Sequence, residues 1–120
     1  MTSMLIIEDD DTVRGLLRSV LEAEGYEVAV AANGCQGLAR YRHWPTDLVI
    51  TDIFMPELNG LGMIRLLTCE FPTAKVIAIS SARRESKGLA VATRLRARQT
   101  FQKPLNMAAL LNAVRYELVH

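Results

Sequence analysis

The chain has 120 residues, of which 50% are hydrophobic and 22% are charged, and its formal net charge at pH 7 is +1. These values exclude a disordered chain and predict one globular domain, residues 1–120, with a single core. The charge is unevenly distributed, because residues 83–103 hold seven basic side chains and one acidic side chain, Glu85. Such a basic stretch fits an acidic partner, nucleic acid or a solvated helix face.

The two cysteines, Cys35 and Cys69, lie in separate predicted helices and form no CxxC pair. Together with two histidines, one of which is the last residue, they do not make a zinc constellation. The N-terminus shows no secretory apolar region, and no apolar run is long enough to span a bilayer. We therefore expect a cytoplasmic protein with reduced thiols and no contact with a membrane.

The predicted elements begin with residues 4–7, a continuous apolar run typical of a parallel strand that is covered on both faces. Four acidic residues follow this run directly. A helix that Asp10 or Asp11 caps and Gly25 ends is then predicted. The evidence is a set of apolar residues at helical spacing: Val13, Leu16, Leu17, Val20 and Leu21.

The rest of the chain continues this alternation. Four more strands are predicted, over residues 26–32, 47–52, 75–80 and 99–102. Three more helices are predicted over residues 35–42, 61–70 and 85–95, and a last helix begins after a cap at Asn106. This pattern predicts an α/β fold, a doubly wound five-stranded parallel sheet with helices on both faces. Right-handed crossovers place all five strand ends on one edge.

Polar side chains gather at the carboxyl ends of these strands: Glu8 and Asp9 after the first, Asp52 in the third, Ser80 in the fourth and Lys103 after the fifth. Three carboxylates in one cleft repel one another unless a cation joins them, and Mg²⁺ suits a site with few carboxylates and several waters. With the lysine and the hydroxyl, such a cleft is suited to receive a phosphoryl group, toward which a carboxylate is a competent nucleophile. Each residue alone would be an ordinary cap, turn or surface residue, so the interpretation depends on their combination.

The whole chain resembles the receiver domain of two-component response regulators, the CheY-like family, whose (βα)5 fold is flavodoxin-like. The resemblance lies in residues 6–10 with Arg14, residues 52–56 with Gly60, Ser80, and Lys103-Pro104. It implies a phosphorylation-dependent signalling receiver and not a conventional enzyme. Such a receiver catalyses its own phosphoryl transfer and dephosphorylation, and it controls a partner or an output domain.

The resemblance also implies roles for the site residues. Asp52 would accept the phosphoryl group from a sensor histidine kinase, a phosphotransfer protein or a small phosphodonor. Lys103 would pair with Asp52 and then with the phosphoryl group, Ser80 would move to meet that group, and the bond before Pro104 would be cis. Mg²⁺, with Mn²⁺ as a substitute, would be held by Glu8 (largely through water), Asp9, Asp52 and the backbone carbonyl of Phe54.

Some positions depart from the family's usual pattern. Arg96 stands where glycine is usual, which predicts a different turn before the fifth strand. At the switch position Thr100 replaces an aromatic residue, and Phe101 would face the core instead. We therefore expect the signal to leave through residues 81–98. Two further substitutions are conservative: Glu8 for aspartate and Ser80 for threonine.

Further expectations concern the lifetime of the phosphorylated state and the partners of the domain. Phe54 and Ala82 would overhang the site, where Phe54 excludes water and Ala82 offers no group to orient it, which predicts slow self-dephosphorylation. A homodimer through the helix over residues 85–95, the fifth strand and the last helix is compatible with the family. No direct contact of this domain with nucleic acid is expected.

Two other interpretations stay open. Residues 9–13 match the D-x-D-x-[TV] pattern of haloacid-dehalogenase-like phosphatases, with Asp9 as nucleophile and Asp11 as acid/base. Against this interpretation, the chain has no aspartate after Asp52 for that family's late metal motif. The second is a receiver-like interaction module that works without phosphorylation, as the departures at the switch position and the turn suggest. The chain would be a stand-alone regulator or a part of a longer one.

Overall fold

Five parallel strands form one sheet in the computed structural model, which describes residues 1–53, 60–80 and 96–120. The strands are β1 (Ser3–Ile7), β2 (Glu27–Ala31), β3 (Leu48–Asp52), β4 (Val76–Ser80) and β5 (Gln99–Gln102). The helices within these ranges are α1 (Asp11–Ala23), α2 (Gly34–His43), α3 (Gly60–Glu70) and the C-terminal helix (Met107–Val119). The helix predicted over residues 85–95 lies outside the described residues. The other predicted elements are confirmed, with ends within one or two residues.

The strand order is β2-β1-β3-β4-β5, and all neighbouring strands are parallel. The chain moves from β1 to one side and then returns to β1's other side with β3, so the order reverses between β1 and β3. Ile7 pairs with Thr51, and Asp52 pairs with Ile79, which keeps the carboxyl ends of these strands level. In open α/β sheets this reversal point is where ligands bind. The predicted doubly wound architecture is confirmed.

Buried side chains form one cluster on each face of the sheet. The cluster on the α2 and α3 side includes Leu5, Ile7, Leu38, Ile53, Met63, Ile64 and Leu67. The cluster on the side of α1 and the C-terminal helix includes Met4, Ile6, Leu17, Leu21, Leu110 and Val114. Successive residues of β1 therefore serve opposite faces, and both faces are covered. This is why residues 4–7 of the strand are all apolar.

The start and end of α1 follow from local chemistry. The Asp10 carboxylate accepts hydrogen bonds from the backbone N–H groups of Thr12 (2.8 Å) and Val13 (3.1 Å), which identifies Asp10 as the N-cap. After the helix, Gly25 adopts φ +91°. Leu16 is 52% exposed, so the buried stripe of α1 is narrower than the apolar pattern indicates.

Close packing joins α2 to β1. A Cβ atom on Gly37 would lie 2.6 Å from Cγ1 of Ile7 and closer still to its Cδ1. Glycine therefore lets the helix approach the strand that carries Glu8. Cys35 on α2 and Cys69 on α3 are both exposed, and neither forms a disulfide bond. No helix in the described part of the chain is long and apolar enough to cross a membrane.

The segment around β5 tests three expectations. Arg96 adopts φ +77°, the left-handed conformation that glycine favours, so the expected change of turn is not seen in its backbone. Phe101 packs against the cluster on the side of the C-terminal helix, as predicted. The Lys103-Pro104 peptide bond is cis, also as predicted.

Candidate functional site

Three carboxylates meet at the carboxyl ends of β1 and β3. One oxygen atom from each of Glu8, Asp9 and Asp52 lies within 4.8 Å of the other two. The cause is topological, because the pairing of Ile7 with Thr51 places the residues that follow side by side. Glu8 is 1% exposed and Asp52 is 5% exposed, whereas Asp9 is open to solvent. The sequence predicted this cluster, and the fold brings it together.

Lys103 reaches the same cluster from the far side of β4. Its Nζ donates hydrogen bonds to Oδ2 of Asp52 at 2.9 Å and to Oε1 of Glu8 at 2.7 Å. The backbone N–H of Lys103 donates to the carbonyl of Ser80 at 2.6 Å, which ties the lysine's main chain to the end of β4. The contact with Asp52 was expected, and the contact with Glu8 was not.

Burial and neighbouring groups shift the pKa values of Glu8 and Lys103. The pKa of Glu8 is raised to about 7, mainly by burial and also by the Asp52 carboxylate, against the opposing effect of hydrogen bonds from Lys103 and from the Asp10 N–H. Burial by itself would lower the pKa of Lys103, but hydrogen bonds and charges from Glu8 and Asp52 outweigh it and raise this pKa. One ammonium group thus faces three carboxyl groups.

A divalent cation fits this donor set. The three clustered groups are all oxygen donors, as Mg²⁺ requires, and a single lysine does not neutralise them. The backbone carbonyl of Phe54, the remaining ligand that the resemblance implies, lies outside the described residues. So do Ala82 and most of the predicted signal route over residues 81–98.

Ser80 carries a hydroxyl at the carboxyl end of β4, the strand that pairs with β3. It is the last residue of β4 and is fully buried, and its Oγ has no hydrogen-bond partner in the described part of the chain. A buried hydroxyl without a hydrogen-bond partner is destabilising, so a group that accepts or donates a hydrogen bond here would be favoured. On the neighbouring strand, Thr100 is half-buried and pairs with Ala78.

The segment that carries Glu8 and Asp9 is held by several hydrogen bonds. The backbone N–H of Glu8 donates to Ala31 at 3.0 Å, and the N–H of Asp10 donates to the Glu8 carboxylate at 3.1 Å. Nη1 of Arg14 donates to the carbonyl of Glu8 at 2.9 Å. The sequence marked Arg14 as part of a motif but did not reveal this contact. The available signal was a cation one helical turn beyond the acidic run.

The phosphatase interpretation fits the geometry poorly. Asp11, its proposed acid/base, has a side chain that is 87% exposed and pairs with Arg14. In addition, α1 already begins at Asp11. The second acid of that motif is therefore directed to solvent and not into the cleft.

Comparison with known proteins gives a family. The model of the response regulator receiver domain matches residues 4–115. Protein PilH from Pseudomonas aeruginosa is 32% identical over 115 residues, which cover 95% of each chain. Two other curated relatives are longer, and the matched part of this chain covers 36% of one and 31% of the other.

Solved structures agree with this comparison. A response regulator receiver domain protein from Clostridium thermocellum superposes with a TM-score of 0.92 at 26% identity, covering 98% of this chain and 94% of that one. Response regulator protein TrrA from Thermotoga maritima, in complex with Mg(2+)-BeF, superposes with a TM-score of 0.88 at 29% identity. That match covers 98% of this chain and 99% of TrrA.

Proposed function

Because the chain belongs to the family of response regulator receiver domains, we propose that it accepts a phosphoryl group on Asp52 and thereby switches a signalling surface. One observation carries the proposal. The Asp52 carboxylate lies at a strand end, 2.9 Å from the Lys103 ammonium and within 4.8 Å of the oxygens of Glu8 and Asp9. The donor is a sensor histidine kinase, a phosphotransfer protein or a small phosphodonor.

The proposed reaction needs little from the protein beyond position and charge. An oxygen of the Asp52 carboxylate attacks the donor's phosphorus, a new P–O bond forms, and the bond from phosphorus to the leaving group breaks. Lys103 then holds a phosphoryl oxygen in place of the carboxylate oxygen that it now contacts. Attack of water on the acyl phosphate later returns Asp52 to its starting state. The domain signals by this cycle and is not a conventional enzyme.

Glu8, Asp9 and Asp52 are the residues that would hold Mg²⁺, with the Phe54 carbonyl as a further ligand and Mn²⁺ as a substitute. When bound, the ion would offset the negative charge of the carboxylates and of the phosphoryl oxygens. Support comes from the oxygen-only donor set and its excess of negative charge. The solved structure of TrrA, a similar protein, is a complex with Mg(2+)-BeF.

The switch would begin at Ser80. Its buried hydroxyl has no partner in the residues described and would turn to the phosphoryl group when that group is present. Thr100, on the neighbouring strand, replaces the usual aromatic residue, so we expect the change to pass through residues 81–98. Chemical-shift mapping with beryllofluoride and Mg²⁺ tests this route, and a response confined to another face would contradict it.

The receiver's output is either a separate protein or a domain of the same chain, because its relatives include both a protein of similar length and longer ones. A homodimer through residues 85–95, β5 and the C-terminal helix belongs to the same proposal. Light scattering before and after phosphorylation tests for such a dimer.

Intact-mass measurement after incubation with acetyl phosphate and Mg²⁺ tests the central step. The wild type is expected to gain the mass of one phosphoryl group, and Asp52→Asn is expected to gain none. Asp47→Asn is a matched control, because Asp47 directly precedes β3 at its opposite end and binds the backbone N–H of Ser3. An unlabelled wild type would favour an interaction module that works without phosphorylation.

A further inference from the structure

We infer that Arg14 is a positioning residue, which fixes the peptide between Glu8 and Asp9 so that both carboxylates face a common cation. The inference rests on the proposed function, because it concerns the metal site of that reaction. Its basis is the hydrogen bond from Nη1 of Arg14 to the carbonyl oxygen of Glu8, at 2.9 Å. That carbonyl belongs to the peptide unit that joins the two acids.

The opposite side of Glu8 is already held by the sheet. The backbone N–H of Glu8 donates to the carbonyl of Ala31 at 3.0 Å, which continues the pairing of β1 with β2 by one residue. Asp9 lies beyond the sheet. Arg14 therefore supplies a restraint just where the ladder of strand hydrogen bonds ends.

The helix makes this restraint rigid. The backbone N–H of Arg14 donates to the carbonyl of Asp10 at 2.9 Å, in the first turn of α1. The Asp10 side chain caps the same turn, and the Asp10 N–H donates to the Glu8 carboxylate. Arg14, Asp10 and Glu8 thus form a closed loop of hydrogen bonds around Asp9. The Arg14 side chain is 21% exposed, so its contact is largely sheltered from water.

The ion pair between Arg14 and Asp11 does not explain this placement. The Asp11 side chain is 87% exposed, and exposed pairs contribute little free energy. The contact with the Glu8 carbonyl is partly buried and is the less exposed of the two, so it carries the positioning effect.

Positioning and charge make opposite predictions for metal binding. If Arg14 acted only through its charge, its removal would strengthen binding of a cation, because a repelling group would be lost. If Arg14 positions the two acids, its removal weakens binding despite that gain. Loss of a residue that orients metal ligands typically weakens metal affinity about 10-fold or more.

Calorimetric titration of the full chain with Mg²⁺ separates these cases. We expect Arg14→Met, which keeps an unbranched apolar stem but removes the charge and the donors, to bind Mg²⁺ about 10-fold more weakly than the wild type. Arg14→Lys, which keeps the charge and one donor, is expected to recover part of the loss. Arg18→Met is the matched control, since Arg18 lies one turn further along α1 and pairs only with Glu22 in the described structure, at 3.4 Å. Unchanged or tighter binding by Arg14→Met would overturn the inference.

A second measurement needs no metal. In metal-free protein, Arg14→Met should shift the ¹³C resonance of the Glu8 carbonyl and increase fast motion of the Asp9 amide, whereas Arg18→Met should do neither. If the wild type binds no Mg²⁺, the proposed function fails, but this comparison still decides the role of Arg14. If Arg14→Met does not fold, Arg14→Lys carries both tests, with a smaller effect in the same direction. No difference between Arg14→Lys and wild type would then count against positioning.

Discussion

The Nζ of Lys103 donates a hydrogen bond to Oδ2 of Asp52 at 2.9 Å, across the carboxyl end of β4. The same ammonium group contacts Glu8 at 2.7 Å, so it is shared between two carboxyl groups that are each at least 95% buried. Breaking a buried pair leaves an uncompensated charge, which costs more than the pair itself contributes. Lys103 therefore stabilises the resting site, and the proposed function gives it a second role, in phosphoryl transfer.

Replacing Lys103 by methionine should affect both roles. In metal-free protein we expect the free energy of unfolding to fall by about 2 kcal/mol, measured by urea denaturation. Phosphorylation by acetyl phosphate should slow by ~10-fold or more, because a charge that stabilises the transferring group is lost. Lys75→Met is the control, since Lys75 binds the backbone carbonyl of Glu117, away from the site. A normal rate in Lys103→Met would contradict the proposed role.

The raised pKa of Glu8 predicts a specific pH dependence. This pKa is raised from 4.5 to about 7, mainly by burial, so between these values folded, metal-free protein holds a proton that the unfolded chain has lost. The free energy of unfolding should therefore fall as the pH rises through this interval and level off above it. Mg²⁺ needs the deprotonated group, so its affinity should rise over the same interval.

Denaturation and Mg²⁺ titrations below, within and above this interval measure both trends. Glu8→Gln removes the titrating group and should remove this part of the slope in stability. A metal affinity that does not change with pH would show that Glu8 is already ionised in the folded, metal-free protein.

The buried Ser80 hydroxyl predicts a substitution that keeps stability but removes the switch. Ser80→Ala removes a polar group without a partner in the described structure, so it should leave stability unchanged or raise it by about 1 kcal/mol. Thr68→Val is the control, because Thr68 is also buried but donates to the Ile64 carbonyl at 2.8 Å, and it should lose stability. Ser80→Ala should still bind beryllofluoride but shift fewer resonances. If the same resonances shift in Ser80→Ala as in the wild type, Ser80 is not part of the switch.

The close approach of Gly37 to Ile7 predicts that a larger side chain at residue 37 would displace the strand next to the site. In Gly37→Ala the new Cβ would overlap Ile7, which precedes Glu8, and we expect a loss of about 1–3 kcal/mol in stability. Gly15→Ala is the matched control, because no atom lies within 4 Å of its Cβ position and the change favours a helix. Combining Gly37→Ala with Ile7→Ala should cost less than the sum of the two single changes. Additive losses would contradict direct overlap.

Sequence patterns were sufficient for the central strands because these are covered on both faces. β3 and β4 are buried throughout, and a buried parallel strand has a continuous apolar pattern. Helix faces were less well predicted. Leu16 fits the helical spacing as well as Leu17 does, but the width of the stripe that packs depends on the tilt of α1 on the sheet, which spacing does not record.

Some features of the site could likewise be predicted from the sequence, and others could not. Glu8, Asp9, Asp52 and Lys103 could be placed together because strand ends in a parallel sheet share one edge, and the structure confirms that they meet. The Arg14 contact with a backbone carbonyl could not be predicted, because a carbonyl leaves no trace in the sequence. The backbone of Arg96 was likewise hidden, because its φ is set by the turn into β5 and arginine itself has no preference for it.

The most direct test of the central claim is to locate the phosphorylated residue. Borohydride reduces an acyl phosphate to an alcohol, so treatment of the protein after incubation with acetyl phosphate and Mg²⁺ converts the modified aspartate to homoserine. Peptide mass spectrometry then identifies the position. The proposed function predicts homoserine at residue 52 alone. Homoserine at residue 9, or at no position in a protein that folds and binds Mg²⁺, would contradict it.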